Sequence, residues 1–146
     1  MKDLSASEVA ELLECDVSAC LAFVDRAGYP RQVPCWFFWD GEAFYVTSFA
    51  EKFHVKRLQS DARASICVEV EERSPEGRSN RQVKGLGRVE IFDDADGAWS
   101  ERIRTKYLGA VTIDRSGAVA SRVVLRLKPA RLVAHGSEVR VPGRVA

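Results

Sequence analysis

Two turns within the first fifty residues restrict the fold of this chain more than any other feature. Asp25-Arg-Ala-Gly-Tyr-Pro30 separates the apolar run Ala19-Cys-Leu-Ala-Phe-Val24 from a strand expected over 31–39, and Gly28 can supply a positive φ there. Asp40-Gly41 then separates that strand from Ala43-Phe-Tyr-Val-Thr-Ser48, a strong signal for a two-residue hairpin. Strands joined this tightly pair with their sequence neighbours, so the chain begins as an antiparallel meander.

The remaining sequence extends this pattern. Ser5-Ala-Ser-Glu8 has the form of a capping box ahead of Val9, Leu12 and Leu13, so residues 1–14 are expected to hold a short leading helix. A helix is expected from Phe49 to about Ser60, then a strand over 64–70 and a polar loop over 71–80 containing Pro75 and Gly77. The strand over 82–92 is interrupted by Gly85 and Gly87, which suggests a bulge or a close approach. A helix follows from Asp93 to about Leu108, then a loop over 111–120. Two closing strands are expected over 122–127 and 131–134 with Pro129 between them, and a ragged tail over 137–146. Adjacent strands without βαβ alternation argue for an antiparallel barrel, mainly β with flanking helices, in a single domain over 1–146.

Composition excludes several function classes. A net charge of +1 gives no global field towards nucleic acid or an anionic membrane, so any anion site has to be local. The basic residues near the C-terminus lack an accompanying aromatic platform or reading helix, and no nucleic-acid partner is expected. No apolar run is long enough to span a bilayer, and the N-terminus lacks the apolar stretch of a secretion signal; the expected location is the cytoplasm. The four cysteines include no CxxC pair and are read as reduced thiols, with no metal site. Gly85-x-Gly87 lies inside a strand with Glu90 at the third glycine's place, so it is no dinucleotide fingerprint, and no GxSxG elbow exists.

The stretch Tyr45-Val-Thr-Ser-Phe-Ala-Glu-Lys-Phe-His-Val-Lys-Arg-Leu58 carries the most chemistry. A strand ends at Thr47-Ser48 and a helix opens beside it, a junction whose free N–H groups suit an anion. Lys52, His54, Lys56 and Arg57 fall in the same turns, with Lys52 and Lys56 four apart on one face. A cation near a helix N-terminus is disfavoured by roughly 0.3–1 kcal/mol, and a bound phosphate would reverse that sign. The other reading is a solvated basic face with Ser48 and Glu51 as a capping box. In the preceding strand, alternation turns Trp36 and Phe38 one way and Phe37 and Trp39 the other. One set can fill the barrel; the other covers a ring system, a loop or a subunit partner.

Taken together, Gly28-x-Pro30-x-x-Val33-Pro34-x-Trp36-Phe37-x-x-Asp40-Gly41, Phe44-Tyr-Val-Thr47 and Val55-Lys-Arg-Leu58-x-x-Asp61-x-Arg63-Ala-Ser65 resemble the pyridoxamine 5′-phosphate oxidase-related split-barrel superfamily. Val83-Lys-Gly-Leu-Gly-Arg-Val-Glu90 and Val124-Leu-Arg-Leu-Lys-Pro129 continue the resemblance, which covers roughly 15–136. It implies a six-stranded antiparallel split barrel and a homodimer with a cofactor groove between subunits. It also implies hydride transfer between FMN or the deazaflavin coenzyme F-420 and a small organic substrate. By the same resemblance Val33, Pro34 and Trp36 would pack on the ring system. Thr47 and Ser48, with Lys52, His54, Lys56 and Arg57, would hold the phosphate. One position departs from the pattern: the family usually has a lysine where this chain has His54. A histidine there is a weaker, pH-dependent phosphate partner. It also resembles a haem-handling branch, which keeps a non-catalytic flavin or haem binder as the alternative. No acid or base stands out beside the expected ring, so no catalytic residue is assigned.

Overall fold

The computed structural model describes residues 1–110 and 121–141. Its elements run β1 (Lys2–Asp3), α1 (Ala6–Glu14), β2 (Ala19–Val24), β3 (Pro30–Cys35), β4 (Phe38–Trp39), β5 (Phe44–Phe49), α2 (Phe53–Ser60), β6 (Arg63–Ser74), β7 (Gly77–Asp93), α3 (Ala98–Leu108) and β8 (Arg122–Arg140). All pairing is antiparallel, in the order β3-β2-β6-β7-β8-β5-β4, with β1 attached to β8. The two outermost strands of that path, β3 and β4, are consecutive in the chain and separated only by Trp36-Phe37. The ring is therefore closed by the covalent chain at this seam, where no strand ladder runs, which is what splits the barrel. Among the described residues eight strands stand where the resemblance implies six. The difference is the short β1 and the break of the expected 31–39 strand into β3 and β4.

Alternation builds the core. Ala19, Leu21 and Phe23 of β2 point inward, as do Phe44 and Val46 of β5, Ile66 and Val68 of β6, and Leu125 and Leu127 of β8. Leu12 and Leu13 of α1 join them, on a helix held by the expected capping box between Ser5 and Glu8. Phe37 is fully buried and Trp39 packs beside Phe44, while Trp36 and Phe38 turn towards α3, so the expected alternation is present. No helix among the described residues is long and apolar enough to cross a membrane.

Several sequence expectations are corrected. The supposed loop over 71–80 is a hairpin: Glu71 pairs with Asn80, and Glu71 meets Arg73 and Arg78 while Glu72 meets Arg81. Opposed charges on facing strands favour pairing, so a polar run is no bar to a ladder. The expected ragged tail is ordered as far as Arg140, because Ser137–Arg140 pair with Gly77–Asn80 as the third strand of this arm. The two closing strands are one, β8, since a bulge opposite Leu86 and Gly87 accommodates Pro129. A Cβ on Gly87 would lie 2.7 Å from the Lys128 carbonyl oxygen, so only glycine fits there. The Asp40-Gly41 turn has four residues, because Asp40 Oδ1 accepts from both Glu42 and Ala43 N–H. α2 begins at Phe53 with Lys52 at its N-cap and no side-chain cap, so Ser48 and Glu51 form no capping box. α3 begins at Ala98, five residues after Asp93. The expected loop over 111–120 lies outside the described residues.

Candidate functional site

A groove of about 320 Å³ opens beside the seam, a volume within the range of small-molecule sites. Three segments line it: Val33–Trp36 at the end of β3, Val46–Phe49 at the end of β5 with His54 beyond it, and Ser100, Ile103 and Arg104 of α3. Arg122 at the start of β8 completes the wall. Each segment arrives for a local reason. β3 ends where it loses its neighbour at the seam, and β5 runs on to Phe49 because β8 pairs with it through Arg122. α3 is held over the groove by Asp94, whose buried carboxylate accepts from Trp99 N–H (3.0 Å), Ser100 N–H (3.1 Å) and Ser100 Oγ–H (2.7 Å). In the first turn of α3, Trp99 stacks on Tyr45 at 3.9 Å, and Tyr45 donates to Asp40 Oδ2 at 2.8 Å.

Six of the residues singled out from sequence line this groove: Val33, Pro34, Trp36, Thr47, Ser48 and His54. Lys52, Lys56 and Arg57 do not line it. Arg57 donates from Nε to the Val24 carbonyl and ties α2 to β2. Lys52 acts on the site through its field, helping to lower the pKa of His54, although burial is the larger cause. His54 is half-buried, its imidazole is neutral at pH 7, and Nε2 shares a hydrogen bond with Ser48 Oγ at 2.9 Å.

Two cationic residues escaped the sequence reading, Arg104 and Arg122. Arg122 looked like one of several basic residues on a closing strand, and nothing local marks it. The pairing of Phe49 with Arg122 brings it to the Thr47-Ser48 strand end, and pairing across 73 residues of sequence is set by tertiary structure. Its Nη1 is buried and has no hydrogen-bond partner among the described residues. Buried polar groups are nearly always paired, so an orphaned guanidinium nitrogen in a groove wall points to a missing acceptor. Ser48, Thr47, Arg104 and Arg122 suit a phosphate oxygen by their chemistry, and Trp36 offers an aromatic wall. These residues fit a cofactor with a planar ring and an anionic tail.

A second groove of about 600 Å³ lies between α1 and β8. Its charged and titratable lining residues are Asp3, Arg131 and His135, and His135 is engaged with Asp3 at 3.0 Å. No group of three metal-ligating side chains occurs among the described residues, and all four cysteines are free thiols. Burial pushes the Cys35 thiol up to about 12, which makes it a poor nucleophile despite its place in the groove wall.

An antiparallel barrel closed by its own chain at a seam, with a groove beside it, has the architecture of the flavin- and deazaflavin-binding split-barrel superfamily. The chain belongs to the pyridoxamine 5′-phosphate oxidase family, whose model matches residues 5–136. Among solved structures it is similar to an F-420 reductase, with a TM-score of 0.72 and 25% identity over 84% of this chain and 93% of the other. It also resembles an FAD and haem binding protein from Mycobacterium smegmatis, at a TM-score of 0.74 and 15% identity over 94% and 82% of the two chains. The flavocytochrome Anf3 from Azotobacter vinelandii superposes at 0.69 and 15% identity over 94% and 78%. The last two likenesses concern the fold alone. No curated protein matches the chain.

Proposed function

We propose that this chain binds a flavin-type cofactor, FMN or coenzyme F-420, in the seam groove and catalyses hydride transfer to or from a small organic substrate. The observation that carries this reading is Arg122, whose buried Nη1 lacks a partner among the described residues, in a groove that also presents Ser48, Thr47 and Arg104. Leaving a buried charged donor unpaired costs more than the roughly 1–3 kcal/mol of a neutral one, and a phosphate oxygen removes that cost. Arg122 and Arg104 then anchor the tail, Ser48 and Thr47 orient it, and Val33, Pro34 and Trp36 fix the ring plane. When bound, the cofactor supplies the hydride chemistry; the protein supplies position and exclusion of water. The likeness to an F-420 reductase supports the deazaflavin as one of the two candidates.

The reading includes a homodimer. On the face of the sheet opposite the core, Cys20 stands between Pro34 and Cys67, and Ala22 between Gln32 and Ser65. Six uncharged neighbours form a patch suited to the charge-depleted centre of a subunit interface, and Pro34 links it to the groove. Light scattering should give twice the mass of the 16.2 kDa chain.

A second reading, non-catalytic binding of flavin or haem, draws on His54, a neutral imidazole in the groove wall. Iron ligation through Nε2 would require breaking its bond to Ser48. Titration with FMN, F-420 and haem tests the two readings. Quenching of flavin or deazaflavin fluorescence together with turnover of an organic substrate supports the first; quenching without turnover, or a Soret band without flavin binding, supports the second.

A further inference from the structure

We infer that Lys106 and Tyr107, at the C-terminal end of α3, form a latch across the barrel seam that positions Trp36 in the groove. Trp36 and Phe37 belong to no strand, so their main-chain groups have no ladder to join. Phe37 is nevertheless fully buried, and unpaired main-chain groups there would be costly. Two side chains of α3 take the ladder's place. The Phe37 N–H donates to Tyr107 Oη at 3.2 Å, and Lys106 Nζ donates to the Phe37 carbonyl at 3.1 Å. Both groups also reach back to the last turn of α1 and the segment after it. Tyr107 Oη donates to the Val17 carbonyl at 2.8 Å, and Lys106 Nζ donates to the Leu13 carbonyl at 3.1 Å. Lys106 Nζ further sits 3.6 Å from the centre of the Phe37 ring.

The latch acts on the groove through Trp36. The Tyr107 ring lies parallel to the Trp36 ring, with centroids 4.5 Å apart and planes 4° apart. One face of Trp36 is thereby fixed, while the residue is 41% exposed and lines the groove. Ser100, Ile103, Arg104 and Tyr107 follow the helical spacing of a single stripe, so one face of α3 carries both the groove wall and the tyrosine. Seating Tyr107 on the seam therefore sets the distance between the Trp36 wall and Arg104. Lys106 and Tyr107 are positioning residues; neither lines the groove itself.

The consequence for cofactor binding rests on the function proposed above; the latch itself does not. Hydrogen exchange at the Phe37 amide reads the latch directly, because that N–H donates to Tyr107. Tyr107→Phe keeps the ring and removes the hydroxyl. It should speed exchange at Phe37 about tenfold while amides in the β2–β6 ladder stay unchanged. In protein labelled with fluorotryptophan, the Trp36 resonance (assigned with Trp36→Phe) should move in Tyr107→Phe and in Lys106→Met. It should return towards the wild-type position in Lys106→Arg, which restores the donors. Riboflavin, which has no phosphate, should bind these two latch variants about tenfold more weakly than wild type and bind Lys106→Arg nearly normally. Unchanged exchange at Phe37 would overturn the latch. Faster exchange with an unmoved Trp36 resonance would overturn the positioning role. If wild-type protein binds neither FMN, F-420 nor riboflavin, the cofactor reading fails, and the latch stands or falls on exchange and the Trp36 resonance alone.

Discussion

Replacing Arg122 with methionine should raise the stability of the cofactor-free protein while lowering its affinity for a phosphorylated cofactor. Methionine keeps an apolar stem of comparable reach, so little packing is lost. What disappears is a buried donor, Nη1, that finds no acceptor among the described residues. Removing an unsatisfied buried charged donor should stabilise the fold by at least about 1–3 kcal/mol. For a chain of 146 residues this raises Tm by about 2–4 °C per kcal/mol. A hydrogen bond from the guanidinium to phosphate is worth about 1.5–3 kcal/mol, so affinity for FMN or F-420 should fall by roughly 10- to 150-fold. Riboflavin provides the control, because without a phosphate it should bind wild type and Arg122→Met alike. Differential scanning fluorimetry and fluorescence titration measure both quantities on one preparation. Opposite signs are the mark of a side chain kept for binding at the expense of stability. A lower Tm together with unchanged FMN and F-420 affinity would refute the assignment and make Arg122 an ordinary structural arginine.

Other variants probe the frame around the groove. Asp94→Ala removes an acceptor that serves Trp99 N–H, Ser100 N–H and Ser100 Oγ–H; it should cost about 2–3 kcal/mol by chemical denaturation and loosen α3. Gly87→Ala forces a methyl group to 2.7 Å from the Lys128 carbonyl oxygen and 3.1 Å from Leu127, and should cost about 1–3 kcal/mol in the same assay. Burial holds the Lys106 ammonium down at about 8 against its ordinary 10.5, so the unfolded chain binds more protons between those values. Stability should therefore gain a contribution as pH rises through that window, and Lys106→Met should remove it in a Tm-against-pH series. Lys52→Ala combined with Lys56→Ala should weaken cofactor binding through the loss of two nearby positive charges. Because neither residue lines the groove, the loss should be smaller than that caused by Arg122→Met in the same titration.

The parts of the fold that were legible in the sequence are those set by local chemistry. The capping box of α1, the turn at Gly28, the alternation of Trp36 to Trp39 and the bulge signalled by glycine in β7 all depend on neighbours a few residues away. What local chemistry could not show is where a ladder persists through an unfavourable run. The charged stretch over 71–80 pairs with Arg78 and Arg81 reaching diagonally across the ladder to Glu71 and Glu72, and β8 passes Pro129 because a bulge at Ala130 restores its register with β7. The site divides in the same way. Val33, Pro34, Trp36, Thr47, Ser48 and His54 come from two short segments and meet in the groove. Arg104 and Arg122 reach it only through α3 docking and the β5–β8 register, which no local pattern encodes. Basic residues of α2 stood out by density, yet Arg57 is engaged with the Val24 carbonyl.

The most direct test of the proposed function is side-by-side titration of the purified wild-type chain with FMN, F-420 and haem, followed by fluorescence and absorbance. Saturable quenching with FMN or F-420, weakened in Arg122→Met, is the expected result. Binding of haem alone, or of none of the three, would contradict a hydride-transferring cofactor in the seam groove.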